Sequence, residues 1–184
     1  MTDRLRIDLN IGGVEASHRP ALLRTLLGSC ISVCLWDREA RCGGMNHFML
    51  PQGPASGGDP ARFGVHAMDL LIGALQRQGG ERDRLVAKVF GGASVLSSVL
   101  KTNRVPEQNV DFIDRFMKTE GIPVVARDLG GVKGRLVYFL TDTGQAFVKQ
   151  LGQARKREQL REDRRLIAPA PAARPAYGEV ELWT

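Results

Sequence analysis

The chain of 184 residues contains no stretch approaching the roughly 18 consecutive apolar residues of a membrane span. Its opening, Met1-Thr2-Asp3-Arg4-Leu5-Arg6, lacks the long apolar segment of a secretory signal, so the expected compartment is the cytoplasm and no membrane insertion is expected. Cysteine is scarce. Cys30, Cys34 and Cys42 make an odd count, which argues against a disulfide framework and suits a reducing compartment. Concentrated charge is also missing. The formal charge is +6, of which residues 153–184 contribute seven Lys/Arg against five Asp/Glu, and the remainder is spread without a basic cluster. A nucleic-acid partner is therefore not expected, and at most a mild preference for acidic surfaces follows. What is present is ordinary for a globular protein: 43% hydrophobic and 25% charged residues, in a length that one domain can use to bury a core without metals or staples.

Along the chain, Ile7-Asp8-Leu9-Asn10-Ile11 alternates as a strand and Gly12-Gly13 ends it. A polar stretch and the run Leu22–Leu27 lead to Gly28-Ser29-Cys30. The next strand, Cys30 to Trp36, puts Ile31, Val33 and Leu35 on one face and Cys30, Ser32, Cys34 and Trp36 on the other. Asp37–Ala40 reads as a turn, and Cys42 to Leu50 as the hairpin partner. Pro51–Asp59 is a Gly/Pro/Ser-rich loop able to form a rim. Val65, Met68, Leu71, Ile72 and Leu75 then recur at helical steps, closed by Gly79-Gly80. A strand at Leu85–Phe90, a helix from near Val95 to before Asn103 and a helix over Asn109–Thr119 follow. The latter turns Val110, Ile113, Phe116 and Met117 inward. Strands at Ile122–Arg127, Leu136–Thr141 and Gln145–Leu151 complete the order. Without strict β/α alternation, this reads as an α/β layered single domain with a mixed, largely antiparallel sheet and packed helices, spanning residues 1–152. Residues 153–184 form a tail: a charged helix, a Pro/Ala linker and the end piece Gly178–Thr184, whose Leu182-Trp183 pair is either a docking peptide or a disordered end.

Cys30 carries the most chemistry. A Gly28-Ser29 turn running into a strand pins its thiol at a sheet edge, and the strand ending Asn46-His47-Phe48 returns an imidazole to the same place. Thiol and imidazole on rigid elements suffice for nucleophilic attack on an amide or ester carbonyl. Such a turn also leaves backbone N–H groups to face a developing oxyanion. The competing readings are a small buried hydrophobe for Cys30, as expected for Cys34 and for Cys42 before its Gly-Gly turn, and a satisfied core histidine for His47. His18 and His66 are expected at the surface. Zinc held by Cys30, Cys34, Cys42 and His47 is disfavoured, because the spacings match no zinc knuckle and strand geometry sets Cys30 and Cys34 about 13 Å apart. Gly91-Gly92-Ala93-Ser94 lacks the Lys-Ser/Thr of a phosphate loop, so close packing of a turn explains it better.

Five segments then agree in order and spacing: Thr25-Leu26-Leu27-Gly28-Ser29-Cys30, Gly43 to Pro51, Lys88-Val89-Phe90-Gly91-Gly92-Ala93, Asp128-Leu129-Gly130-Gly131, and Gly134-Arg135. Together they resemble the CheD family of chemoreceptor glutamine deamidases over roughly residues 5–150. The resemblance implies an α/β layered fold and hydrolysis of glutamine side-chain amides on chemoreceptor helices, with Cys30 as nucleophile and His47 as its base. It implies neither metal nor organic cofactor. The family's third member is a threonine six positions before the cysteine; that position is Arg24 here, and Thr25 lies one step nearer. One step in a strand reverses a side chain's face, so a local bulge is what would let Thr25 orient His47. Gly28 and Ser29 are the expected oxyanion positions. The same chemistry extends to glutamate methyl esters. A CheC-type phosphatase is the expected partner beside the receptor helices. Two readings stand against the deamidase: a non-catalytic adaptor that uses the same rim, and a thiol hydrolase of small molecules or peptides.

Overall fold

The computed structural model describes residues 4–50, 61–95 and 104–151. The described elements follow in the order β1 (Leu5–Leu9), β2 (Val14–Ser17), β3 (Ala21–Leu27), β4 (Ile31–Asp37), β5 (Cys42–Asn46), α1 (Ala61–Arg77), β6 (Leu85–Gly91), α2 (Val105–Glu120), β7 (Val124–Leu129), β8 (Arg135–Leu140) and β9 (Ala146–Gln150). The expected sheet is in fact two, ordered β1-β3-β8-β9 and β2-β5-β4-β6-β7. Each is mixed and mainly antiparallel, with only β1–β3 and β6–β7 parallel. The α/β layered class therefore holds, and the correction is the second sheet.

The difference comes from β2 and β3, which the sequence shows poorly. Val14-Glu15-Ala16-Ser17 is a polar strand at a sheet edge, with only Ala16 buried. In Ala21–Leu27 the doublets Leu22-Leu23 and Leu26-Leu27 blur the period of two. The burial itself alternates strictly: Ala21, Leu23, Thr25 and Leu27 face inward.

β4 is covered on both sides and so fixes the layers. Its Ile31, Val33 and Leu35 pack with Met68, Leu71, Ile72 and Leu75 of α1 and Phe112, Ile113 and Phe116 of α2. From its other face Cys34, together with Cys30, joins Met45 and Phe90 against Leu23, Leu27, Val137 and Phe139 of the four-stranded sheet. The face assignment read from alternation is thus correct, and the order is four-stranded sheet, five-stranded sheet, helices. Gly43 and Gly44, expected in a turn, lie inside β5 instead. A Cβ on Gly43 would sit 2.8 Å from the Phe139 ring and 2.9 Å from the Thr141 carbonyl oxygen. One on Gly44 would meet Ala16 Cβ and Leu71 Cδ1 at 2.9 Å. Both neighbouring layers press on this strand too closely for a side chain.

α1 buries Met68, Leu71, Ile72 and Leu75 as its spacing predicts, but Val65 is 39% exposed. The Phe112 ring packs on Gly64 instead, so close that a Cβ there would overlap it. α2 begins at Val105, with Pro106 in its first turn, and stops at Gly121 in the left-handed conformation at φ 67°. Starting earlier than expected, it carries Asn109 into its buried face rather than at its head. The loop Pro51–Asp59, the helix expected beyond Val95 and the tail from Gln153 lie outside the described residues. Among the described residues no helix is long and apolar enough to cross a membrane.

Gly43→Ala should lower stability by about 1–3 kcal/mol through overpacking between Phe139 and Thr141. Urea denaturation checks this; a loss under about 0.5 kcal/mol would show that the two sheets tolerate an extra methyl at this point.

Candidate active site

The turn Gly28-Ser29-Cys30 carries the chain from β3 in one sheet to β4 in the other. Each of its three carbonyls accepts a hydrogen bond at 2.8 Å, from the Ala93 N–H, Asn109 Nδ2 and the Gly92 N–H respectively. Immediately after it, Ile31 exchanges both backbone hydrogen bonds with Phe48 at 2.9 Å. Gly91 is left-handed at φ 115°, and a Cβ there would fall 2.0 Å from the Cys30 carbonyl oxygen. The glycine pair after β6 is therefore a packing device, as its sequence suggested, and what it packs against is the Cys30 backbone. All peptides among the described residues are trans. With the Gly28 and Ser29 carbonyls fixed on Ala93 and Asn109, the Ser29 and Cys30 N–H groups point the opposite way.

His47 arrives from β5. Cys34 pairs with Met45 and Ile31 with Phe48 in one antiparallel register. This sets Cys30 opposite Met49 and puts His47 on the same face, one diagonal step away, a separation that long side chains bridge. The His47 backbone bonds sideways, donating to the Gly13 carbonyl at 2.9 Å and accepting from the Gly12 N–H at 2.7 Å. Asn46 interrupts the ladder to β4. Its Oδ1 takes the Val33 N–H at 2.9 Å, its carbonyl takes the Ser32 hydroxyl at 2.6 Å, and its Nδ2 donates to the Ala67 carbonyl at 3.1 Å. Sequence reasoning missed Ser32, Asn46 and Asn109 as site supports. The available signal was a polar residue in an otherwise apolar stripe, since a side chain buried there needs partners.

Thr25, on β3, faces inward across the gap between the sheets. No bulge turns it: the pairing of β3 with β1 and with β8 runs without a register shift. The expected bulge is thus corrected, because position 25 already lies on the buried phase of the strand. Arg24 points outward and pairs with Asp8 at 2.6 Å. The Thr25 hydroxyl donates to the Leu9 carbonyl at 2.8 Å and lies 2.8 Å from His47 Nδ1. A hydroxyl has one proton, and a carbonyl can only accept it. Nδ1 must therefore carry a hydrogen and donate to Thr25, leaving the lone pair on Nε2.

Nε2 is buried and has no hydrogen-bond partner among the described residues. Nε2 therefore makes no hydrogen bond to the Cys30 thiol. Cys30 is 1% exposed and His47 5%. Burial pulls the His47 pKa down to about 4, against a smaller upward push from the Leu9 carbonyl. The ring is neutral at pH 7.

The other cysteines behave as expected for core residues. Burial pushes the Cys34 thiol far up, with Lys88 opposing, and likewise raises Cys42. Cys42 lies in the helix-side core while Cys30 and Cys34 lie in the core between the sheets, so the four proposed zinc ligands are split by β5 and β4. Among the described residues no group of three or more His, Cys, Asp or Glu is placed to hold a metal ion. His18 is exposed beside Gln78, and His66 is exposed on α1. A cavity of about 280 Å³ opens farther along β4, lined by Cys34, Trp36, Val86, Lys88 and Phe139 among others, and includes neither Cys30 nor His47.

An unfolded-state histidine titrates near 6.5 and the folded His47 near 4, so the unfolded chain binds the extra proton between these values. Stability should be full above pH 6.5 and fall by about 3 kcal/mol as pH drops to 4. Urea titrations of parent and His47→Gln check this: the variant should lose that part of the acid slope, and parallel slopes would contradict a buried neutral ring.

Comparison with known proteins bears on this geometry. The CheD family model, described as CheD chemotactic sensory transduction, matches residues 49–150. A probable chemoreceptor glutamine deamidase CheD of Agrobacterium fabrum is 44% identical over 168 residues, covering 91% of this chain and 90% of its own. Proteins of the same description from Stenotrophomonas maltophilia and Laribacter hongkongensis are 42% and 43% identical, over 88% and 79% of this chain and 80% and 72% of theirs. The family model begins just past His47, but the Agrobacterium alignment leaves out a stretch shorter than the one before Thr25, so it takes in Thr25, Cys30 and His47. On these matches, the chain belongs to the CheD family.

Proposed function

We propose that this protein deamidates selected glutamine side chains on the cytoplasmic helices of chemoreceptors, with Cys30 as nucleophile, His47 as base and acid, and Thr25 as the residue that orients His47. The observation that carries the assignment is the Leu9–Thr25–His47 chain, which leaves an Nε2 lone pair on the face that bears Cys30. The relatives' description as chemoreceptor glutamine deamidases supplies the substrate class.

The steps follow from the tautomer. Nε2 takes the Cys30 thiol proton as sulfur attacks the carboxamide carbon, and backbone N–H groups of the Gly28–Cys30 turn receive the oxyanion. The imidazolium then returns its proton to the amide nitrogen, which leaves as ammonia and gives a γ-thioester. Water attacks the thioester with His47 again as base, and the thiol recovers its proton as glutamate forms. Burial keeps the His47 ring neutral at rest, so it is ready to take the thiol proton as sulfur attacks. A weakly basic imidazole also gives the proton back readily.

Because both side chains lie below the surface, the glutamine must insert end-on. A neutral amide tolerates that environment and the product carboxylate does not, which favours release. A glutamate methyl ester, also neutral, fits the same path. A CheC-type phosphatase belongs to this proposal as a partner beside the receptor helices, and three cysteines outside any disulfide suit a cytoplasmic setting.

Incubation with receptor helices, read by mass spectrometry, should add about 1 Da per converted glutamine. Cys30→Ala should abolish the gain, and Thr25→Val should slow it at least about tenfold. Full activity of Cys30→Ala would remove the thiol from the reaction. Cys30 is as buried as Cys34 and Cys42, so what should set it apart is the neighbouring His47: iodoacetamide should alkylate Cys30 well before the other two, and equal rates at all three would favour a non-catalytic adaptor.

A further inference from the structure

Asn109 is fully buried on α2, among Val105, Phe112, Ile113 and Phe116. Its carboxamide is divided between the two segments that carry the reacting groups. Nδ2 donates to the Ser29 carbonyl at 2.8 Å, one residue before Cys30, and Oδ1 accepts the Leu50 N–H at 2.9 Å, three residues after His47. A buried asparagine in an apolar helix stripe costs stability unless it is bonded, and this one is bonded on both ends.

We infer that Asn109 is a positioning residue for the deamidation: it holds the Ser29–Cys30 peptide in the plane needed to present the turn's N–H groups to the oxyanion. The inference rests on the function proposed above. Three observations lead to it. Among the described residues the Ser29 carbonyl takes its hydrogen bond from Asn109 and from no backbone group, unlike its neighbours Gly28 and Cys30, which are held by Ala93 and Gly92. The Ser29 carbonyl and the Cys30 N–H belong to one planar peptide, so fixing the first fixes the direction of the second. Oδ1 ties the same carboxamide to the segment leaving His47, so the spacing between turn and segment is set from one side chain. Asn109 touches neither Cys30 Sγ nor the His47 ring through these bonds, and its effect on the chemistry is through the turn.

A role through the turn has a signature that general loosening lacks. Attack on an amide builds an oxyanion, whereas alkylation of the same thiol by iodoacetamide does not. Asn109→Leu keeps the approximate shape of the side chain and removes both bonds. It should lower kcat for deamidation at least about tenfold, with KM and the rate of Cys30 alkylation each within about threefold of the parent. Asn109→Ala removes the same two bonds with a smaller side chain and should show the same split; it decides should the leucine variant not fold. Unchanged kcat in a folded variant overturns the inference, and so does alkylation falling in step with kcat, which would mean that the thiol–imidazole pair itself was displaced. The parent is assayed alongside: a parent that deamidates no receptor helix refutes the proposed function, whereas an active parent matched by a folded Asn109 variant refutes the positioning role alone.

Discussion

A single hydroxyl proton decides the chemistry of this site. Thr25 has one hydrogen to give, and the Leu9 carbonyl takes it. The His47 ring beside it must then donate from Nδ1, and the remaining lone pair falls on Nε2, the nitrogen on the side away from Thr25. The ring is buried, which keeps it neutral and removes water as a competing partner. Charge state, tautomer and orientation of the His47 ring thus follow from one hydrogen bond and the exclusion of solvent.

That hydrogen bond joins two sheets. Thr25 and Leu9 belong to the four-stranded sheet, and His47 leaves the five-stranded one. The Gly28–Cys30 turn crosses between the same two sheets a few residues after Thr25. Cys30 and His47, the proposed nucleophile and base, are therefore held at a seam, and the packing that brings the sheets together also sets their spacing. The glycines at 43, 44 and 91 belong to this account, because each permits an approach that a methyl group would block. The helices contribute from the far side: Asn109 reaches from α2 to the turn and to the segment past His47, and Ala67 of α1 receives Asn46.

Much of this could be read in the sequence, and the limits have physical causes. Alternation through Ile31–Trp36 gave the correct faces because a strand buried on both sides still obeys a period of two. The Cys30 turn and His47 stood out because glycine and histidine are unusual company for apolar strands. β2 and β3 were missed because an edge strand is allowed polar residues and because leucine doublets mask alternation. The Gly43-Gly44 pair looked like a turn since its cause, pressure from Phe139 and Leu71, comes from residues distant in the chain. Thr25 lies beside His47 without the bulge that the sequence suggested. Its phase depended on where β3 begins, and Ala21 starts the strand so that odd positions face inward. Asn46, Ser32 and Asn109 showed in the sequence only as polar residues in apolar stripes, because their hydrogen-bond partners are set by tertiary register rather than by local pattern.

The direct measurement of the central claim is the ¹⁵N NMR spectrum of the His47 ring at pH 7, assigned against His47→Gln. A proton on Nδ1, a bare Nε2 and loss of that preference in Thr25→Val are the predicted result. A proton on Nε2, or a charged imidazolium at this pH, would contradict the account.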